Sequence, residues 1–183
     1  MSKRLSKQDW LKAGFVALTE AGGGALKAEP MARRLKTTKG SFYWHFKDVP
    51  AFHSAILKEW ESKAYADIVT QIEEQESAVH KLRALGQIAV SGAPADYGGI
   101  ALEPAIRAWG RSDPKVAEAI ARVDGLRMQY LSALMKEIGL TNPELVRILY
   151  ASVIGMDDLS SRDGEINGPA MGTLVDLILA LYQ

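Results

Sequence analysis

Residues 38–48, which read Thr-Lys-Gly-Ser-Phe-Tyr-Trp-His-Phe-Lys-Asp, decide the fold of this chain. Phe42 and Phe46 are four residues apart and share one face of a helix, which suits burial in a core. Thr38 is a good N-cap for this short helix, and Asp48 caps the helix that follows. The residues left to face outward are Lys39, Ser41, Trp44 and His45. The stretch therefore predicts a short helix with an apolar inner face and a polar outer face.

Two helices are predicted before this stretch. The first starts at a capping box formed by Ser6 and Asp9 and ends at the glycines of 22–24. The second is short, begins near Pro30 and is separated from the third by the three-residue break 36–38. Two short helices of this kind are too small to fold alone, but packed on the first helix they form a helix-turn-helix head. In that arrangement the second short helix enters the major groove of DNA.

The rest of the chain also has helical spacing, and no alternation of period two stands out. Asp113-Pro114 and Asn142-Pro143 are helix starts, with a cap followed by a proline in the first turn. The helices predicted after the quoted stretch cover 48–74, 79–90, 100–109, 113–138, 142–159 and 171–182. We expect an all-α fold of about nine helices, with a head over residues 1–47 and a larger body over residues 48–183.

The formal net charge of 0 hides a segregation of charge along the chain. Residues 1–47 carry ten Lys and Arg against three Asp and Glu, a net charge of +7, and residues 48–183 carry twelve against nineteen, a net charge of −7. A basic head on an acidic body suggests that the head meets a polyanion such as nucleic acid. Chance clustering on a solvated surface is the alternative interpretation.

Composition excludes several classes of protein. The chain has no cysteine, which excludes disulfides, thiolate metal sites and a cysteine nucleophile. No apolar run is long enough for a signal peptide or a membrane span, so we expect a cytoplasmic protein with no membrane partner.

An enzyme is the main alternative class. None of the spacings among the three histidines suits a metal pair. Asp157 and Asp158 are adjacent and point to different sides of a helix, which does not suit paired carboxylates, so they are expected to be solvated or hydrogen-bonded near a helix end. The glycines of 22–24 lack the Lys-Ser/Thr of a phosphate loop. We therefore expect no enzymatic activity, no cofactor and no bound metal.

The quoted stretch resembles the recognition helix of TetR-family transcription regulators. A glycine second in the helix, an apolar-Tyr pair and a closing His-Phe form the signature of that family, and the resemblance covers about residues 5–60. It implies that Tyr43 and His45 contact phosphates and that Gly40 permits close approach to the DNA backbone. The residues implied to lie against double-stranded DNA are Thr38, Lys39, Gly40, Ser41, Tyr43, Trp44, His45 and Lys47.

Three positions depart from the family pattern. Lys27 replaces a threonine that helps to hold a phosphate, Lys36 replaces the glycine of the turn, and Val49 replaces a basic residue. A left-handed conformation at Lys36 would cost about 1 kcal/mol. These departures keep a third class open, in which the chain dimerises but binds another protein instead of DNA.

The resemblance implies that the body binds a small-molecule effector and forms a homodimer, as suits a palindromic operator. It further implies a repressor that the effector releases, with the long fourth helix as the connection between body and head. The predicted pocket residues are Tyr97, Leu102, Ile106, Trp109, Met128, Tyr130 and Tyr150. The predicted dimer residues on the last two helices are Leu149, Val153, Leu174, Ile178 and Leu181.

Overall fold

The structure is a computed structural model, and it describes residues 5–181. Over this range the regular elements are nine helices joined by short loops and 3-10 turns, which confirms the predicted all-α fold. They are α1 (Lys7–Ala21), α2 (Ala28–Arg34), α3 (Lys39–His45), α4 (49–73), α5 (Ala78–Ser91), α6 (Leu102–Gly110), α7 (Pro114–Glu137), α8 (Pro143–Asp163) and α9 (Gly168–Ala180). Helix α4 is continuous but contains a π-helical turn at Ser62–Ala66.

The helices start where short-range capping signals predict. Ser6 and Asp9 form a reciprocal capping box at the start of α1. Asp48 accepts a hydrogen bond from the backbone N–H of Ala51 at 2.7 Å and so caps α4. The side chains that cap α3, α7 and α8 in the same way are Thr38, Asp113 and Asn142. Each cap satisfies a backbone donor that would otherwise lack a partner.

The connection between α8 and α9 is shorter than predicted. Helix α8 continues four residues past the predicted end to Asp163, and α9 begins at Gly168. The intervening loop is tied back to α8, because Asn167 donates hydrogen bonds to the carbonyl of Met156 and to Ser160. Tyr182, the predicted end of the last helix, lies outside the described residues.

Two hydrophobic cores divide the described part of the chain. The first contains the inner faces of α1 to α3, the first part of α4, and side chains from α6 and the first half of α7. The second contains side chains of α5, the second half of α7, α8 and α9. The head thus shares its core with part of the predicted body.

An aromatic cluster of Trp10, Phe42, Phe46 and Phe52 holds the head together. Phe42 is fully buried, and its ring lies 5.4 Å from Trp10 and 5.3 Å from both Phe46 and Phe52, measured between ring centroids. The pairs with Trp10 and Phe52 are edge-to-face, a geometry that adds to the free energy of burial. A helix of seven residues is unstable by itself, so this burial keeps α3 folded and fixes its rotation.

The turn between α2 and α3 contains a strained residue. Lys36 has φ of +51°, a left-handed conformation that is unfavourable for residues with a Cβ atom. The N–H of Lys36 bonds the carbonyl of Arg33, and the N–H of Thr37 bonds that of Ala32, which together form a Schellman motif. The substitution of Lys for the family's glycine is therefore accommodated at a cost in backbone energy.

We expect Lys36→Gly to raise the free energy of unfolding relative to Lys36→Ala by about 1 kcal/mol. Both variants remove the charge, but alanine keeps the Cβ that opposes the left-handed conformation. Urea denaturation of the two variants measures the difference. Equal stability of the two would contradict the left-handed turn.

Candidate nucleic-acid interface and ligand cavity

Burial of one face of α3 exposes the opposite face. Tyr43 is 53% exposed and Trp44 is 71% exposed, whereas Phe42, the residue directly before them, is fully buried. Lys39, Gly40 and Lys47 are also exposed, and Ser41 and His45 are half-buried. The eight predicted DNA residues therefore lie on or at the edge of one accessible surface, and their contact with DNA stays a prediction.

Two of the predicted residues have structural roles as well. The hydroxyl of Thr38 accepts a hydrogen bond from the backbone N–H of Ser41 at 3.3 Å and caps α3. The ring of His45 lies against the buried aromatic cluster, with its centroid 6.4 Å from that of Trp10. These contacts fix the orientation of the exposed face.

An acidic side chain lies beside the exposed face of α3. Glu29 on α2 forms an ion pair of 2.8 Å with Lys39 and a longer one of 3.5 Å with Arg33. The hydrogen bond from Lys39 lowers the pKa of Glu29 and raises that of Lys39. Because all three groups are exposed, the pairs contribute little stability, and a phosphate could replace Glu29 as partner of the cations.

The departures at Lys27 and Val49 have visible consequences. Lys27 is the N-cap residue of α2 and makes no side-chain capping bond, where a threonine could have made one. Val49 is half-buried and packs against the first core instead of offering a cation.

Trp109 on α6 connects the head to the body. Its ring lies 5.1 Å from that of His53, whose Nε2 lies 2.8 Å from the carbonyl oxygen of Leu26. A Cβ on Gly23 would lie 2.5 Å from the Trp109 ring, so only glycine allows this close approach. Trp109 thus packs on the turn between α1 and α2.

A cavity of about 450 Å³ lies between the two cores. It is lined by residues of α4 to α8, by the loop before α6, by Phe15 of α1 and by Met171 of α9. The lining is mainly apolar, as is usual for pockets that enclose small molecules. The cavity therefore contacts the head core as well as the body.

Four of the seven predicted pocket residues line this cavity, namely Tyr97, Leu102, Tyr130 and Tyr150. The other three do not line it. Ile106 is fully buried in the first core, Trp109 packs on the head, and Met128 packs against the second core.

The π-helical turn of α4 forms one wall of the cavity. Lys63, Ala64 and Tyr65 of this turn line it directly. The carbonyl of Ala64 accepts a hydrogen bond of 3.0 Å from Nε of Arg127 on α7. π-Helical turns are frequent at functional sites, and this one attaches the helix that leads to the head to the polar end of the cavity.

Charged side chains at one end of the cavity form a hydrogen-bonded network. The carboxylate of Glu103 accepts from Arg127 and, at 2.9 Å, from the indole N–H of Trp60. Arg107 holds Asp124 with two hydrogen bonds of 2.8 and 3.1 Å. Burial alone would raise the pKa of Asp124, but the hydrogen bonds from Arg107 and from the Tyr150 hydroxyl outweigh it and lower the pKa. These residues are paired with one another.

Asp157 on α8 faces the same end of the cavity. Among residues 5–181, no side chain or backbone group forms a hydrogen bond or salt bridge with its carboxyl group. Burial and the negative charge of Glu103 raise the pKa of Asp157 to about 7, although Arg127 and Arg107 act in the opposite direction. The carboxyl group is therefore about half protonated at neutral pH and largely protonated below it.

The interpretation of Asp157 as a solvated residue near a helix end is wrong. Because α8 continues to Asp163, Asp157 lies inside the helix, whereas Asp158 is exposed and paired with Arg162. A signal was present in the spacing: Tyr150, Val153 and Asp157 recur at three and four residues, which puts the carboxyl on the cavity-lining face. Sequence reasoning also missed Glu103 and Arg127.

The predicted dimer residues are mostly buried within the chain. Leu149 and Ile178 belong to the second core, Leu174 is half-buried, and Leu149 and Val153 line the cavity. Leu181 is 66% exposed. The residues exposed at helical spacing are Ile148, Ala151, Gly155 and Leu159 on α8, Ala170, Thr173 and Leu177 on α9, and Leu181 directly after α9, so only Leu181 belongs to both sets. Neighbouring residues on a helix point in directions about 100° apart, so a prediction that is wrong by one position selects a different face.

Neither a membrane span nor a metal cluster is found in the described part of the chain. None of its helices is long and apolar enough to cross a membrane. Between residues 5 and 181, no three His, Asp or Glu side chains are grouped so as to hold a metal ion.

The fold is shared with solved structures along nearly the whole chain, although no protein-family model and no curated protein matches in sequence. A transcriptional regulator from Rhodococcus sp. Rha1 has a TM-score of 0.78 at 19% identity, over 96% of this chain and 97% of that one. A TetR-family transcriptional regulator from Streptomyces coelicolor has 0.71 at 16%, over 97% and 90%. SmeT, the repressor of the Stenotrophomonas maltophilia multidrug efflux pump SmeDEF, has 0.68 at 19%, over 97% and 90%. The chain has the fold of TetR-family transcription regulators.

We expect Asp157 to make stability depend on pH. Its pKa is raised from 3.8 to about 7 on folding, so between these values the folded chain holds a proton that the unfolded chain has released. The free energy of unfolding therefore falls as pH rises from about 4 to about 7. Asp157→Asn removes this contribution. The stability of the variant relative to the wild type should therefore increase by about 1 kcal/mol for each unit by which the pH rises between about 4 and about 7.

Urea denaturation of both proteins at pH 5, 6, 7 and 8 measures the difference. Asp158→Asn is the matched control, because the neighbouring carboxyl is exposed and paired. A constant difference between Asp157→Asn and the wild type at all four values would show that the carboxyl is ionised throughout.

Proposed function

We propose that the chain is a TetR-family transcription regulator that binds a palindromic DNA site as a homodimer and releases it when a small molecule occupies the cavity. The observation that carries this proposal is the exposed polar face of α3, held on a buried aromatic cluster inside a shared regulator fold. A binder of DNA works where the chromosome is, so we assign the protein to the cytoplasm and expect repression by occupation of a promoter.

The charge and the shape of the head support DNA as its partner. The net charge of +7 over residues 1–47 favours a polyanion. The exposed cations on α2, on α3 and in the adjoining turns are Lys27, Arg33, Arg34, Lys36, Lys39 and Lys47. Tyr43 and Trp44 add hydrogen-bonding and stacking groups to this surface. We assign residues 1–47 to DNA binding and residues 48–183 to ligand binding and dimerisation.

Helix α4 is the proposed connection between ligand and DNA. Its first turn is capped by Asp48 directly after α3, and Phe52 packs on Phe42. Its π-helical turn lines the cavity. A ligand that favours one arrangement of this turn would shift the position of the head, provided that it binds the two arrangements with different affinity.

The exposed apolar faces of α8 and α9 support a homodimer. The two helices pack against each other, and each exposes a row of small and apolar side chains. Gly155 has open space around it, which would allow a partner helix to approach closely. An exposed apolar surface of this kind marks an interface with another protein molecule, and a two-fold dimer matches a palindromic site.

Selection of genomic fragments with the purified protein at near-physiological salt tests the function. A palindromic site should be recovered, and its affinity should fall with salt with a logarithmic slope of about −0.9 per phosphate contacted. Recovery of no site by a folded dimer would instead favour the protein-binding class that the departures at Lys27, Lys36 and Val49 leave open.

We expect Tyr43→Phe and Ser41→Ala to have different effects on DNA binding. Loss of the Tyr43 hydroxyl should weaken binding to all sequences alike, by about three- to tenfold, since phosphate contacts carry no sequence information. Ser41→Ala should change which sequence is preferred. Ser161→Ala removes an exposed hydroxyl from α8, away from the cavity, and is the control. Unaltered affinity in Tyr43→Phe would remove Tyr43 from the contacts.

We expect Leu177→Glu to weaken the dimer by at least about tenfold, because it buries a carboxylate in the proposed interface. Leu177 is 63% exposed and α9 should remain folded. Leu126→Glu, at an exposed apolar position on α7, is the matched control. Sedimentation equilibrium measures both, and an unchanged dimer in Leu177→Glu would place the interface elsewhere.

A further inference from the structure

We propose that the cavity binds an apolar molecule carrying a basic amine, whose ammonium group pairs with Asp157. The inference rests on the proposed function in so far as the ligand is called an effector, but binding of an amine in the cavity stands on the geometry alone.

The charges around the cavity leave one carboxyl group without a partner in the described chain. Arg127 and Glu103 bind each other, and Lys63 lies 3.7 Å from both Glu59 and Asp67. Asp157 has neither a hydrogen bond nor a salt bridge within residues 5–181, and its side chain lines the cavity. A buried carboxyl is costly to ionise without a partner, so a ligand that supplies one gains an interaction that the empty cavity lacks.

The remaining residues of the cavity lining favour a ligand that is apolar apart from its amine. Aliphatic and aromatic side chains from α1 and from α4 to α9 line the cavity of about 450 Å³, a volume in the range of cavities that hold small organic molecules. The other residues of α8 that line the cavity are Leu149, Tyr150 and Val153. An apolar ligand with its polar group at one end would therefore place that group beside the carboxyl.

The charged groups around Asp157 indicate that the ligand carries a positive charge. Glu103 and Arg107 on α6 and Arg127 on α7 are the charged groups that act on it. Both arginines are already held by hydrogen bonds to carboxylates, Arg107 by Asp124 and Arg127 by Glu103. An anionic ligand would meet Asp157 and Glu103 at the same end of the cavity. A cation restores the charge balance.

Binding of an amine should release a proton. An alkylamine is protonated at neutral pH, and it enters as the ammonium ion. Asp157, which holds a proton in the empty cavity, gives that proton to solvent when the ion pair forms. The affinity for the amine should therefore rise between pH 6 and pH 8, by up to about tenfold per pH unit below the pKa of the carboxyl.

Three probes with the same apolar body test the proposal: 4-phenylbutylamine, 4-phenylbutanol and 4-phenylbutanoate. Isothermal titration calorimetry on the full-length protein should give about tenfold tighter binding of the amine than of the alcohol, with the carboxylate weakest. In two buffers of different ionisation enthalpy at pH 6.5, the amine should release a proton and the alcohol should not.

Two variants test whether the preference for the amine depends on the carboxyl group of Asp157. Asp157→Asn keeps the shape, and it should remove the tenfold preference and the proton release while leaving the alcohol's affinity within about threefold. Asp158→Asn is the matched control and should bind all three probes as the wild type does. Circular dichroism checks that each variant is folded.

Equal affinity of the wild type for the amine and the alcohol would overturn the proposal, as would a preference that persists in Asp157→Asn. Binding of none of the three probes would overturn it too. DNA binding in the same preparation separates the two hypotheses. A protein that binds DNA but not the amine refutes the ligand class alone, whereas one that binds the amine but not DNA refutes the proposed function alone.

Discussion

The burial of Phe42 is the interaction on which the rest of the structure depends. Helix α3 has seven residues and gains little stability from its own hydrogen bonds, so it exists because Phe42 packs among Trp10, Phe46 and Phe52. The same packing turns Tyr43 and Trp44 outward. Since Phe52 belongs to α4, the contact that forms the head also fixes where the long helix leaves it.

Continuity of packing then links the head to the cavity. The first core extends from α3 through α1 into α6 and α7, and Phe15 of α1 lines the cavity itself. Trp109 and His53 add a second connection at the turn before α2. A change at the cavity therefore has two packed routes to the head, besides the π-helical turn of α4.

Polar groups at the end of the cavity are arranged at a cost in stability. Arg107 and Asp124 satisfy each other, as do Arg127 and Glu103, but Asp157 has no hydrogen-bond or salt-bridge partner within residues 5–181, and burial raises its pKa. Buried groups of this kind are destabilising and are often retained at functional sites, where a ligand supplies the missing interaction.

The sequence by itself determined the helices and the head, because capping and amphipathic spacing act over four residues or fewer. Ser6, Thr38 and Asp48 start their helices as predicted, and Lys36, which stands where the family has glycine, is left-handed. Tertiary structure alone decided which face of each body helix is buried. One residue turns a helix face by about 100°, so packing made Leu149 a core and cavity residue and left Ile148 exposed. The rotation of each helix about its axis also forms the cavity and places the carboxyl group of Asp157 in its lining. That rotation depends on contacts between helices distant in sequence.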